Sequence, residues 1–417
     1  MSEDAFWAAA LAEAEAADQA DPLAQARERF VLPPGVTYLD GNSLGPAPKA
    51  SLAALRTAAE TEWAEWLIGA WNKAGWFDLP TDCGDLIAPL VGAEPGEVVV
   101  CDTTSVNIFK TLHAALALRP DRRAIVAEAG SFPTDLYMAE GALATRAGAL
   151  RLEGADGPTL EGLIDQDTAV VLVNQVDYRT GRLRDLTALT ARAHAAGALV
   201  IWDLCHSAGV MEVGLNAGGA DFAVGCTYKY LNGGPGSPAF VFVPRRHQTA
   251  RQPLSGWWGH ARPFEFATSY EPDPGVRRFL CGTQPILSFR ALKPALEMMA
   301  DFRLADIRTK SLALTRRFMD LAEATLSPFG VGLLTPKPEN ERGGQVALTH
   351  PQAYAVVQAL IHRGVVGDFR TPDVMRFGFA PLYLRHADVV RAARTLEQVL
   401  ATEAWALPCY RRRAAVT

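Results

Sequence analysis

A chain of 417 residues, 49% hydrophobic and 21% charged, holds enough apolar material for a large core and predicts about two to three domains. Its formal net charge of −6, with no basic block, argues against nucleic acid and anionic membranes as partners. The acidic start Met1-Ser2-Glu3-Asp4-Ala5 lacks the pattern of a signal peptide, and no apolar run approaches the roughly 18 residues that span a bilayer. A cytoplasmic location is expected. The six cysteines are scattered without a Cys-x-x-Cys pair, which fits free thiols in a reducing compartment.

In chain order, residues 5–30 are rich in Ala, Glu, Gln and Arg and predict helix, with Asp21-Pro22 opening a second part and Leu32-Pro33-Pro34-Gly35 ending it. Tyr38 to Pro46 is dense in turn formers and predicts a loop, and a second helix follows over about 47–69. From 97 to 243, apolar runs predict strands at 97–101, 124–127, 169–173, 199–203, 221–225 and 239–243. Helical patterns lie between several of them, at 105–118, 133–147 and 185–196. Such alternation predicts a mostly parallel sheet covered by helices, whose ligands sit beyond the carboxyl ends of the strands. Residues 251–285, rich in Gly, Pro and aromatics, predict a long functional loop region. A long helical pattern starts near 288, with Lys293-Pro294 as a kink or break. A smaller domain then mixes strands (344–348, 374–379) with helices (351–363, 386–403). The expected division is an N-terminal segment, 1–60, packing with the small domain; a large domain, 61–290; and a small C-terminal domain, 291–417.

The chemistry centres on Lys229, set in Cys226-Thr227-Tyr228-Lys229-Tyr230-Leu231-Asn232-Gly233-Gly234-Pro235-Gly236. An apolar, glycine-rich setting favours the free amine that forms a Schiff base with an aldehyde. Upstream, the run Leu199 to Trp202 ends in Asp203-Leu204-Cys205-His206. An aspartate there can hold a pyridine nitrogen protonated, although Asp also caps helices. His206 stands either beside a cofactor or as a satisfied structural histidine. Thr104 and Ser105 open a predicted helix whose free amides suit a phosphate, or serve simply as its cap. Phe132-Pro133-Thr134-Asp135 offers a ring to stack and a carboxylate, or an ordinary helix start. Arg376 interrupts the apolar run Val374 to Phe379, either as a bidentate clamp for a carboxylate or as an edge residue facing water. Together these residues read as a pyridoxal phosphate site for an amino acid substrate. The eight histidines show no metal-ligand spacing, and no P-loop is present.

These motifs resemble the kynureninase family, pyridoxal phosphate enzymes of fold type I in the aminotransferase class V group. The matching stretches are Tyr38 to Pro46, Thr104 to Asn107, Phe132 to Asp135, Thr180-Gly181, Asp203 to His206, Tyr228 to Gly234, Gly256-Trp257-Trp258-Gly259-His260, Pro285-Ile286-Leu287, Arg376 and Pro381-Leu382-Tyr383. The resemblance implies a large domain with a mostly parallel, seven-stranded type of sheet, a smaller α/β domain, and a homodimer. It implies that Lys229 carries the cofactor and moves the Cα proton, that Asp203 pairs with the ring nitrogen, and that Phe132 stacks on the ring. Thr104, Ser105, Asp135, Asn174, His206, Tyr228, Trp257 and Thr283 are implied as further cofactor contacts, with Tyr228 also a proton relay. Arg376, Ser43 and Trp71 are implied on the substrate side, with Trp76 and Trp257 as other aromatic wall candidates. The implied reaction is hydrolysis of L-kynurenine, or its 3-hydroxy form, to anthranilate or 3-hydroxyanthranilate and L-alanine, within tryptophan catabolism or nicotinamide cofactor synthesis. An aminotransferase of the same group is the alternative. Thr283 departs from the Asn of some relatives, and Gly69 to Lys73 lacks a histidine that some carry near the substrate, which leaves the ring preference open.

Overall fold

In the computed structural model, which describes residues 2–154 and 157–413, contacts group the chain into two units: Met1–Lys49, Arg179–Leu183 and Asp301–Thr417 in one, Ala50–Tyr178 and Arg184–Ala300 in the other. Met1 and 414–417, at the outer ends of the expected first and last domains, lie outside the described residues.

The larger unit is built on a seven-stranded sheet. Its strands are β1 (Val98–Val100), β2 (Ala124–Glu128), β3 (Ala149–Glu153), β4 (Thr168–Asn174), β5 (Leu199–Asp203), β6 (Phe222–Gly225) and β7 (Phe240–Phe242). They lie in the order β1-β7-β6-β5-β4-β2-β3. Pairs β6–β5, β5–β4, β4–β2 and β2–β3 are parallel, and only β7 runs against both neighbours. Strands β4 and β5 are buried at every position, which is why they read as unbroken apolar runs. Helices α1 (Leu79–Val91), α2 (Thr104–Leu118), α3 (Pro133–Leu143), α4 (Leu186–Ala195) and α5 (Ile286–Ala300) belong to the same unit. Ile108, Leu112, Ala115 and Leu116 of α2 pack with Ile125, Val170, Ile201 and Phe222 of the strands in one core.

The smaller unit carries a four-stranded antiparallel sheet of β8 (Gly332–Leu333), β9 (Gln345–Thr349), β10 (Asp368–Arg370) and β11 (Val374–Gly378), ordered β10-β11-β9-β8. Helices Leu304–Thr325, Ala353–His362 and His386–Ala401 pack in this unit, and the N-terminal helix Glu3–Gln19 lies against His386–Ala401. Among the described residues no helix is long and apolar enough to cross a membrane.

Several expectations need correction. The N-terminal helix stops at Gln19, and the stretch after Asp21 is a 3-10 turn over Ala24–Arg29, with Asp21 Oδ1 accepting from the Leu23 amide. The segment expected as one helix over 47–69 is α-helical only over Lys49–Thr57, then widens to a π turn and later tightens to a 3-10 turn. Helix α3 ends at Leu143 because the chain must enter β3, an edge strand too exposed to show an apolar run. Pro294 does not break α5, which continues to Ala300. Buried Leu292, Ala295, Leu296 and Met299 hold it through the lost hydrogen bond. Arg376 lies not at an edge but on an interior strand, and is buried.

Helix α1 sits so close on β1 that a Cβ on Gly84 would lie 2.1 Å from the carbonyl oxygen of Val98. Gly84→Ala is therefore expected to cost about 1–3 kcal/mol through overpacking, read from urea unfolding of the purified protein. An unchanged midpoint would mean that α1 is free to shift away from β1.

Candidate functional site

A cavity of about 230 Å³ lies in the larger unit, lined by residues that include Thr104, Ser105, Phe132, Asp135, Asn174, Asp203, His206, Tyr228 and Lys229. The fold brings these nine together for topological reasons. Asn174 and Asp203 are the last residues of the parallel neighbours β4 and β5 and stand in register. Thr104 and Ser105 open α2 just after β1, and Asp135 lies in the first turn of α3 just after β2. Lys229 follows β6 on an irregular segment, where Gly234 and Gly236 adopt positive φ values of 93° and 69° that glycine accepts freely.

The polar geometry is specific. Asn174 Nδ2 donates to Asp135 Oδ2 at 2.9 Å and to Asp203 Oδ2 at 3.0 Å, so one amide bridges two buried carboxylates. The other oxygen of Asp203 accepts from the Cys205 amide at 2.7 Å. Asp203 thus does cap the backbone beyond its strand, but with only one of its oxygens. Burial and then the charge of Asp203 push the Asp135 carboxyl well above its ordinary range. Lys229 Nζ and His206 Nε2 are 3.0 Å apart. The Tyr228 hydroxyl is raised above its ordinary value, first by the neighbouring Cys226 sulfur and then by burial, so it remains a protonated donor at neutral pH. Thr103 caps α2, its hydroxyl accepting from the Val106 amide at 3.3 Å. Phe132 meets Tyr178 edge-on, with centroids 5.4 Å apart.

The donor set can be tested against a ligand. Asn174 Oδ1 is buried in the cavity wall with no hydrogen-bond partner. Two buried carboxylates suit a protonated ring nitrogen, the opening of α2 with its hydroxyls suits an anion, and a half-buried lysine amine suits an aldehyde. A molecule carrying all three functions fits this wall.

Other expected residues lie elsewhere. Trp71 and Trp257 do not line the cavity; they join Trp76, Phe77, Trp258 and Phe264 in an aromatic cluster of the same unit, with Trp71 and Trp257 centroids 6.0 Å apart. Thr283 is exposed on its loop and is likewise not in the cavity wall. In the smaller unit, Arg376 stands opposite Asp368 in the β10–β11 register and is bonded to it through Nε at 2.8 Å and through Nη2. Ser43 Oγ lies 2.8 Å from both Arg376 Nη2 and Asp368 Oδ2. Burial works to raise Asp368, but Arg376 outweighs it and holds the carboxyl low. Burial and the adjacent Asp368 push Asp40 up to about 7. The motif reading did not single out Thr134, Tyr178, Cys205 or Ser237, which also line the cavity. Cys205 sits inside the Asp-x-x-His motif and was findable there; Tyr178 sits in no pattern of its own.

A profile for the Kynureninase C-terminal domain matches residues 307–396. A curated kynureninase of Burkholderia pseudomallei (strain 1106a) is 52% identical over 411 residues, covering 97% of this chain and 99% of that protein. One from Pseudomonas fluorescens is 50% identical over 408 residues, covering 96% and 98%. Among solved structures, a cysteine desulfurase from Thermococcus onnurineus NA1 superposes with a TM-score of 0.74 at 18% identity, covering 91% of this chain and 98% of that one. An alanine–glyoxylate aminotransferase from Nostoc sp. gives 0.66 at 19% identity, covering 89% and 98%.

Because Asp135 is raised in the fold, its ionisation opposes folding. Stability attributable to it is intact at pH below the ordinary carboxyl value of about 4 and falls as pH rises from there towards the raised value. Asp135→Asn should make the cofactor-free protein more stable than wild type at neutral pH, with the gain vanishing below about pH 4. Thermal unfolding across pH checks this; a pH-independent difference would contradict it.

Proposed function

The chain belongs to the kynureninase family, and from that premise we propose that it hydrolyses L-kynurenine to anthranilate and L-alanine with pyridoxal phosphate as cofactor. The single observation that carries the site assignment is the grouping of Lys229, Asp203, Asn174 and the opening of α2 around one cavity. The three functions which that wall suits are those of pyridoxal phosphate: an aldehyde, a ring nitrogen and a phosphate. Lys229 holds the aldehyde carbon. Asp203 keeps the ring nitrogen protonated, with Asn174 and Cys205 fixing its two oxygens. Thr104 and Ser105 take the phosphate, Phe132 stacks on the ring, and Asp135 and His206 complete the wall.

When bound, the cofactor supplies an electron sink conjugated to the substrate's α-carbon. Lys229 Nζ would take the Cα proton, with the His206 nitrogen 3.0 Å away orienting that amine. Water would add to the side-chain ketone, the Cβ–Cγ bond would break, and the aroyl carbon would leave as a carboxylic acid while one proton goes to Cβ and Lys229 returns a proton to Cα, completing alanine. Tyr228, next to Lys229 in the cavity wall, is the residue placed to deliver the proton to Cβ. Arg376 receives the substrate carboxylate, kept in plane by Asp368 and Ser43. The expected assembly is a homodimer, a reading supported by exposed apolar side chains such as Ile68 (81% exposed) and Phe266 (84%), and the expected location is the cytoplasm. The larger unit acts as the cofactor-binding domain.

The test is anaerobic incubation of protein loaded with pyridoxal phosphate with L-kynurenine and no keto acid, following anthranilate fluorescence and alanine by mass. Equal amounts of both products are expected, and Lys229→Ala should lower the rate by about 10³-fold or more. Turnover that requires a keto acid would instead assign transamination. A pH dependence is also expected. Ionisation of Asp40 near 7 adds a negative charge beside Asp368 and Arg376, so KM should rise as pH passes through that value. Asp40→Asn should flatten the rise, and a KM profile identical to wild type would rule the contribution out.

A further inference from the structure

Lys110 is fully buried, two turns inside α2. Its ammonium donates to Asp102 Oδ2 and to the Phe279 carbonyl, each at 2.5 Å, and lies 3.4 Å from Cys101 Sγ. A cation turned towards the residue before a helix's first turn opposes the helix dipole, and desolvating it adds to the cost. Helix stability therefore does not account for a lysine at this position.

Its partner is the unusual residue of the segment. Asp102 is non-glycine with φ of 50°, a left-handed conformation costing on the order of 1 kcal/mol or more. Every polar atom of Asp102 is occupied. Its amide donates to Gln284 Oε1 at 2.9 Å, Oδ1 accepts from Gln284 Nε2 at 3.2 Å, Oδ2 accepts from Lys110, and its carbonyl accepts from the Ala239 amide at 3.0 Å. On one side of Asp102 the chain continues into Thr103, Thr104 and Ser105, all in the cavity wall. On the other, Gln284 anchors it to the loop that carries Thr283. The left-handed turn redirects the chain from β1 into the cap of α2, and Lys110 and Gln284 each fix one oxygen of its side chain.

We propose that Lys110 is a positioning residue for the anion of the cofactor: through Asp102 it sets the turn that aims the opening of α2 at the phosphate. This rests on the reading that Thr104 and Ser105 take that phosphate. Lys110 touches neither cofactor nor substrate in this role; it acts on the direction of the free amides, and a small misdirection weakens phosphate binding while leaving the ring and aldehyde contacts in place.

The test titrates the cofactor-free forms of wild type, Lys110→Met and Gln284→Ala with pyridoxal phosphate and with pyridoxal, which lacks the phosphate. Absorbance reports binding, and ³¹P NMR reports the phosphate environment. Wild type should bind the phosphorylated form much more tightly. In both variants the Kd for pyridoxal phosphate should rise about tenfold, the size of losing one charge-assisted contact, with the Kd for pyridoxal nearly unchanged and the ³¹P resonance shifted. Equal weakening of both ligands, or of neither, would overturn the proposal. Gln284→Ala keeps the buried charge pair and so tests the same turn if Lys110→Met fails to fold. Wild type that binds the two ligands equally would instead sink the phosphate reading itself.

Discussion

The amide of Asn174 between two buried carboxylates is the interaction on which the site depends. Asp203 and Asp135 are both nearly inaccessible to water, and bringing two carboxylates together in such a place is costly unless each is met by donors. Asn174 Nδ2 meets both, and the Cys205 amide meets the free oxygen of Asp203. The residual imbalance appears as the raised carboxyl of Asp135. A wall of this kind suits a ligand that brings a positive charge, as a protonated pyridine nitrogen does.

The same device recurs in the smaller unit. Arg376 is buried on an interior strand and would be untenable there alone, yet Asp368 faces it in register on the adjoining strand and Ser43 bridges the two. At the opening of α2, Asp102 is held in turn by Lys110 and Gln284. In each case the residue proposed to meet a ligand, or the turn that carries it, is fixed by a second polar residue facing it. Geometry set in this way does not need reorganising when a ligand arrives.

What the sequence revealed follows from how strongly each residue is forced. Strands β4 and β5, buried on both faces, can only be apolar runs, and Asp203 at the end of such a run stands out. Lys229 is legible because a glycine-rich turn follows it, where Gly234 and Gly236 take positive φ. Strand β3 was hidden because an edge strand half in water carries Arg151 and Glu153 among its leucines. Pro294 misled because local helix chemistry was outvoted by buried packing on either side. Lys110 went unmarked because a lysine within a helical pattern looks like any solvated one; only the tertiary fold turns it inward. Tyr178 was invisible for a similar reason, being brought to the cavity by the chain's path beyond β4.

Topology explains why so many of these residues meet. Strands β2, β4, β5 and β6 are parallel, so their carboxyl ends share one edge of the sheet. Strand β7 returns antiparallel to β6, and β1 is antiparallel to β7, which makes β1 parallel to the rest. The segments leaving β1, β2, β4, β5 and β6 therefore emerge along the same edge, carrying Ser105, Asp135, Asn174, Asp203 and Lys229. If β7 had joined in parallel through a helical crossover, β1, paired as it is to β7, would run the opposite way and α2 would open at the far edge. One reversed strand thus keeps the helix start proposed for the phosphate on the same side as the lysine, and on that reading the single antiparallel return is a requirement of the site rather than an irregularity of the sheet.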